Sequence, residues 1–167
     1  MTSRSRRAKG LLVGGVLLAG ALTAVACALL VPSAYSVDQA PHAGDRACAD
    51  ALARLPRKLL GRQRVETTGA GTAAWGDGSV VLRCGVTPPA PTPDPCMTVD
   101  GVDWVLDEHR AQTEGVRTLT TYGREPAVEV TVGAREASPG DVLVDLERAV
   151  RPLRQGRHRC LAPGDTV

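Results

Sequence analysis

The stretch TAAWGDGSVVLRCGV, residues 72–86, decides how this chain folds. Its two ends, Thr72–Trp75 and Val80–Val86, are rich in apolar and β-branched residues, and Gly76-Asp77-Gly78 lies between them. An Asp-Gly pair flanked by such segments is typical of a tight turn that joins two antiparallel strands. The stretch therefore predicts a β-hairpin, and the rest of the chain can be interpreted outward from it.

The same pattern of strand and turn recurs further along the chain. Asp100-Gly101 is a second Asp-Gly pair with apolar alternation on both sides, which again indicates a hairpin. Pro88–Pro95 holds five prolines in eight positions and cannot form a helix or a central strand. The other predicted strands are Val65–Thr68, Cys96–Val99, Val102–Leu106, Val116–Tyr122 and Ala127–Val132.

A helix is predicted on each side of this strand-rich region. Asp45 can cap the first helix, whose apolar residues recur at helical spacing until Pro56 ends it. Ser138 and Pro139 begin the second helix, and its apolar stripe continues to Leu153. This order predicts an α+β fold, in which two helices pack on one face of a small antiparallel sheet.

A long apolar segment precedes this domain. Gly10–Val31 is a run of 22 residues without a charge, and it follows directly on Arg4, Arg6, Arg7 and Lys9. As a helix it would reach about 33 Å, enough to cross a hydrocarbon core of about 30 Å. The basic flank favours a cytoplasmic N-terminus. We therefore expect a single-pass protein of the cell membrane with an extracytoplasmic C-terminal domain.

Two other interpretations of the apolar segment remain open. A secretory signal could be cleaved after Ala24-Val25-Ala26, which has the small-x-small pattern of a cleavage site. Cleavage there would leave Cys27 as the first residue, where lipidation would replace the helical anchor by acyl chains. The protein would then be a lipoprotein or a secreted structural protein.

These segments divide the chain into five parts. We expect a basic cytoplasmic N-terminus at residues 1–9, a transmembrane helix or uncleaved signal anchor at 10–31 and a tether at 32–44. The extracytoplasmic α+β domain is expected at residues 45–160, followed by a flexible tail at 161–167.

The cysteines are consistent with export. Besides Cys27 there are four, Cys48, Cys84, Cys96 and Cys160, and an even number outside the cytoplasm favours disulfides. Structural zinc sites use close Cys-x-x-Cys pairs, and the sequence has none. Four cysteines allow three pairings. We expect Cys84 to pair with Cys96 across the proline-rich loop, and Cys48 with Cys160 at the two ends of the domain.

Composition limits both the core and the partners. The chain has no Phe, two Trp and two Tyr, so its core must consist mainly of Val, Leu and Ala. Beyond the basic N-terminus it carries 16 basic and 18 acidic residues, which argues against a nucleic-acid binder.

No catalytic or metal-binding pattern is evident in the sequence. None of the three histidines has a His or Cys three or four residues away, and the acidic group at residues 100–108 lacks the spacing of an EF-hand. We predict no cofactor, no metal ion and no catalytic residue. The histidines are His42, His109 and His158, and the acidic residues are Asp100, Asp103, Asp107 and Glu108.

Several segments between residues 45 and 160 resemble an uncharacterised family of actinobacterial envelope proteins, the domain of unknown function 3515. The resemblance implies a small exported domain behind an N-terminal anchor, and it implies no catalytic residues. The segments that carry it are Trp75-Gly76, residues 81–86, Pro88-Pro89, Cys96, residues 99–104 and residues 120–130, which include the cysteine frame and the Tyr-Gly-Arg-x-Pro-Ala-Val motif.

Five residues are the best candidates for a binding surface, because Trp, Tyr and Arg often anchor interfaces and Arg can bind a carboxylate or phosphate through two donors. The alternative is that the aromatic residues are simply the large side chains of the core. We expect a non-catalytic accessory or ligand-binding module of the cell envelope that acts on an unknown envelope protein or ligand. The other possibility is an envelope enzyme with a site around Arg83 and Arg124. The five candidates are Trp75, Arg83, Trp104, Tyr122 and Arg124.

Overall fold

The structure is a computed structural model, and it describes residues 34–133 and 138–161. The elements follow in the order α1 (Arg46–Arg54), β1 (Lys58–Leu59), β2 (Arg62–Val65), β3 (Thr72–Trp75), β4 (Val80–Val86), β5 (Cys96–Val99), β6 (Val102–Leu106), α2 (Glu108–Thr113), β7 (Arg117–Thr121), β8 (Arg124–Glu125), β9 (Ala127–Val132), α3 (Pro139–Val150) and β10 (Arg154–Gln155).

Eight strands form one antiparallel sheet in the order β1-β2-β3-β4-β9-β7-β6-β5. β8 and β10 pair separately as a small antiparallel ribbon. Strand β9 lies between β4 and β7, and it therefore joins the N-terminal hairpins to the C-terminal ones. The described part of the chain is thus a mostly antiparallel sheet with a few helices, which confirms the α+β class.

The predicted hairpins are formed where the turn residues indicate them. Asp100 and Gly101 both have positive φ, 47° and 76°, and Val99 pairs with Val102 across them. A turn of two residues with positive φ matches the right-handed twist of the flanking strands. The first of the predicted strands is displaced, because Arg62–Val65 forms β2 instead of Val65–Thr68.

Helices α1 and α3 pack on one face of the sheet, where the main core lies. Strand residues alternate between two faces, so Val80, Leu82 and Cys84 of β4 share the face that the helices cover. The Asp45 carboxylate caps α1 by accepting a hydrogen bond of 2.8 Å from Ala47 N, as expected. The helical residues of this core are Cys48, Ala51, Val142, Leu143, Leu146, Ala149 and Val150.

The predicted tether does not hold for its described part, residues 34–44. Val37, Ala40 and Ala43 are buried, and the backbone N–H of Tyr35 donates to Glu66 O at 2.7 Å. This segment crosses the sheet face opposite the helices and then reaches α1 past Gly85. At φ 89°, Gly85 packs so close to the backbone of His42 that a Cβ there would collide with it. The folded domain therefore begins before residue 45.

The disulfides are present, but the predicted pairing is wrong. Cys48 is bonded to Cys84, and Cys96 is bonded to Cys160. Strands β4 and β5 are four steps apart in the sheet, or roughly 19 Å at the usual strand spacing. Because a disulfide requires Cα atoms within about 7 Å, Cys84 and Cys96 cannot be joined. Cys84 faces α1 instead, which brings it to Cys48.

The apolar run at 10–31, its basic flank and Cys27 lie outside the described residues, as does the tail from residue 162 onward. Of the helices in residues 34–133 and 138–161, none has the length and apolar character needed to span a membrane.

Candidate functional site

A groove on the sheet face opposite α1 and α3 is the best candidate site. At its base, Arg83 of β4 and Glu129 of β9 are neighbours on paired strands, and Arg83 Nη1 donates to Glu129 Oε1 at 3.1 Å. Arg83 Nε also donates to the backbone O of Asp38 at 3.1 Å. The groove has a volume of about 400 Å³. Arg83 is thus held by two partners at the base of a groove that is open to solvent.

Arg110 contributes a second guanidinium to the groove. It lies on α2, where the Asp107 carboxylate caps the helix by accepting from Arg110 N at 2.9 Å. Its Nε and Nη2 donate to the Glu114 carboxylate at 3.0–3.2 Å, one turn further on. This hydrogen bond raises the pKa of the Arg110 side chain above its ordinary value, so the residue stays charged.

The N-terminal segment forms one wall of the groove. Tyr35 and Asp38 line it from that segment, and Thr131 lines it from β9. The charged lining residues are two arginines and two acids, Arg83, Arg110, Asp38 and Glu129. Such a groove suits a polar ligand rather than an apolar one, because its walls offer charge and hydrogen bonds.

Each arginine retains a terminal nitrogen for a ligand. Within residues 34–133 and 138–161, Arg83 Nη2 and Arg110 Nη1 form no hydrogen bond. The two side chains are about one-third exposed, 32% and 33%. Guanidinium donors of this kind bind carboxylate or phosphate oxygens, and such charge-assisted bonds are stronger than neutral ones. The groove therefore offers two unused guanidinium nitrogens to an anionic group.

The five predicted surface residues do not form one surface. Trp75 and Trp104 are 0% and 1% exposed and belong to the main core, so the interpretation of the aromatic residues as core side chains holds for both. Trp75 Nε1 donates to Pro56 O at 3.1 Å, whereas Trp104 Nε1 has no partner among the described residues. In a chain without Phe, these two tryptophans are the largest fully buried side chains of the core.

Tyr122 and Arg124 lie apart from the groove, next to the C-terminal segment. The Tyr122 ring stacks on His158, with ring centres 5.4 Å apart. Arg124 is 4% exposed, and its donors reach the backbone oxygens of Arg151 and Leu153 just beyond α3. Among the described residues, Arg83 and Arg124 share no partner, so the geometry does not favour an enzyme site built around both.

Sequence reasoning found Arg83 but missed Arg110 and the burial of Asp103. Asp107 with Arg110 and Glu114 has the spacing of a capped helix with an i,i+4 ion pair, a signal that could have indicated α2. Asp103, which belongs to the acidic group at residues 100–108, is not a surface carboxylate. It is 6% exposed, and its oxygens accept from Thr98 Oγ1 at 2.6 Å and Cys160 N at 3.2 Å.

The fold and the groove together define a small α+β domain with a charged, solvent-open groove on its sheet. Comparison with known families identifies it further. The family model described as protein of unknown function (DUF3515) matches residues 10–157, so the chain belongs to that family. No curated protein and no solved structure matches it.

Proposed function

We propose that this protein is a membrane-anchored, extracytoplasmic binding module of the cell envelope, and that the Arg83–Arg110 groove holds a ligand with a carboxylate or phosphate group. The observation that carries the proposal is the pair of arginines in one groove, each with an unused terminal nitrogen among the described residues. The role is non-catalytic: the groove binds and orients its ligand.

The location rests on the sequence and the disulfides. A charge-free run of 22 residues after four basic residues favours a single membrane span with the N-terminus in the cytoplasm. Two disulfides in the folded domain are consistent with an oxidising compartment outside the cytoplasm. The domain has no excess of positive charge that would suit nucleic acid.

The two acids in the groove should make it select among anionic ligands instead of attracting all of them. Glu129 fixes one nitrogen of Arg83, so the remaining nitrogen points in a defined direction. A carboxylate close to the binding position also disfavours ligands of high negative charge through like-charge repulsion. We therefore expect a ligand with a single anionic group next to polar atoms, such as a peptide terminus, to bind better than a polyanion.

Thermal unfolding of the full chain in a non-ionic detergent tests the groove. Trp75 and Trp104 are buried, so their fluorescence reports unfolding. Inorganic phosphate and N-acetylalanine are the probes, at ionic strength held constant with sodium chloride. Because a ligand that binds the folded state stabilises it, both probes should raise the unfolding temperature, N-acetylalanine at lower concentration.

The variant Arg83→Gln should weaken binding by about 10- to 100-fold, because it removes a charge-assisted hydrogen bond. Arg148→Gln is the matched control, since Arg148 is exposed on α3, across the sheet from the groove. Equal probe-dependent stabilisation in wild type and Arg83→Gln would contradict the proposal. Turnover of an ester or peptide probe that Arg83→Gln abolishes would instead favour the envelope enzyme.

A further inference from the structure

The hairpin of β1 and β2 ends in an unusual turn. Leu60 and Gly61 form its two-residue loop with φ values of 47° and 81°, and Leu59 pairs with Arg62 across it. Such a turn normally holds Asn, Asp or Gly, because a side chain with a Cβ is strained at positive φ. Leu60 is nevertheless 39% exposed, which is high for a leucine. An exposed leucine held in a strained turn points to a contact outside the domain.

Basic residues flank this leucine in the sequence. From Ala51 to Val65 the chain has five cations and no acid. Arg57 and Lys58 precede Leu60 in the hairpin and are exposed. The five cations are Arg54, Arg57, Lys58, Arg62 and Arg64. An apolar residue within a basic cluster matches an anionic lipid surface, where the cations meet headgroups and the apolar side chain enters the interface.

One hydrogen bond links the turn to α3, and another links β2 to α1. Leu60 N donates to the Asp145 carboxylate of α3 at 3.5 Å. Arg64 Nη1 donates to Leu52 O at 3.1 Å, which fixes β2 to the end of α1. The leucine is therefore presented at a defined position on the protein.

The chain enters the domain at this same end of the sheet. Tyr35 packs over Gly78 in the β3–β4 turn, and Arg62 Cδ lies 3.3 Å from the position of a Cβ at Gly76 in that turn. Tyr35 is 36% exposed, and tyrosine is enriched at membrane–water interfaces. In the sequence, Pro32 and Ser33 separate Ala34 from the apolar run.

We propose that the turn of Leu60 and Gly61, with its basic flank, is a membrane-contact surface that binds anionic phospholipid headgroups. The proposal rests on the membrane anchoring proposed above, and it adds which end of the domain meets the bilayer and which lipid charge it binds. The Arg83–Arg110 groove reaches this same end of the sheet, because Tyr35 and Gly78 also line it.

The test places a fluorescent reporter on the turn. The full chain with Cys27→Ser and Leu60→Cys, labelled with the polarity-sensitive dye NBD, is reconstituted into vesicles of phosphatidylcholine, with or without phosphatidylglycerol. Asp100→Cys is the matched control, because Asp100 is exposed, has the same φ of 47° in a two-residue turn and lies at the opposite end of the sheet. Retention after an alkaline carbonate wash measures anchoring separately.

With phosphatidylglycerol, the label at residue 60 should emit at shorter wavelength and be protected from iodide, while the label at residue 100 should not change. Added salt or Arg57→Gln with Lys58→Gln should reduce this protection. The proposal is wrong if the vesicles retain the chain after the carbonate wash and the label at residue 60 responds equally to both lipid compositions, or not at all. Loss of the chain in the carbonate wash overturns the anchoring itself.

Discussion

Arg124 was a candidate for ligand binding because of its residue type, but its role in the structure is to hold backbone segments together. Burial lowers the pKa of its guanidinium, but the group is not paired with a described carboxylate within ion-pair distance. Instead, Nη1 donates to Arg151 O at 2.8 Å and to Leu153 O at 2.5 Å, and Nη2 donates to Gly101 O at 3.3 Å. A cation at these carbonyls complements the C-terminal end of α3 and ties it to the β5–β6 turn.

Replacing Arg124 by Met should lower the free energy of unfolding by about 3 kcal/mol, because three carbonyl groups lose their donor while the side-chain volume is kept. Urea unfolding followed by tryptophan fluorescence measures the change. Arg148→Met is the control and should cost less than about 0.5 kcal/mol, since Arg148 is exposed. Equal midpoints for the two variants would show that Arg124 does not hold these segments together.

Sequence alone could not separate Arg83 from Arg124. Arg83 lies in a predicted strand and Arg124 lies between two of them, and a pattern with a period of two does not say which face a neighbouring layer covers. The same limit applies to Trp75 and Trp104, which the sequence left open between surface and core. Their burial follows from the positions of α1 and α3, which the local sequence does not encode.

At the level of elements, turn chemistry allowed most strands to be predicted. The predicted bounds of β3, β4, β5, β6 and β9 match the structure, and each of the hairpins is fixed by glycine or aspartate at its turn. Helix α2 was missed because it is six residues long and has no buried residue, so it shows no apolar period. Strand β2 was displaced because Arg62, Gln63 and Arg64 do not have the composition of a strand.

The two disulfides differ in environment and should differ in reactivity. Cys48 and Cys84 are fully buried between α1 and the sheet, whereas Cys96 is exposed on the edge strand β5. We predict that mild reductant without denaturant opens Cys96–Cys160 first, because thiol attack requires access to the sulfur. Alkylation followed by peptide mass mapping measures this. Simultaneous labelling of all four cysteines would contradict it, and labelling of Cys48 and Cys84 in urea is the positive control.

At the scale of the whole molecule, residues 34–44 extend the domain beyond its predicted start. Their sequence has no helical or strand period and therefore indicated a tether. In the structure, two alanines and one valine of this segment are buried. The structure uses them as a cover over β4 and β9, where Ala40 and Ala43 form a second small core with Val86 and Ala127.

A chain that starts at Ala34 should therefore unfold in one cooperative transition, and one that starts at Asp45 should be less stable by about 3 kcal/mol or more. The loss reflects the exposed apolar surface of Val37, Ala40, Ala43 and the residues they cover. Urea unfolding of the two purified proteins measures the difference. Equal stability would mean that the segment only rests on the domain.

The position of β9 also has a consequence for the order in which the chain can fold during synthesis. Two groups of strands, β1–β4 and β5–β7, come before β9 in the chain. Within the described sheet, the two groups touch only through β9. Until residues 127–132 have emerged, β4 and β7 each present an open strand edge, and such edges invite pairing with other chains. Within the sheet, the two halves of a newly made chain thus stay unjoined until about four-fifths of it has been made, and β4 and β7 lose their open edges only near the end of synthesis.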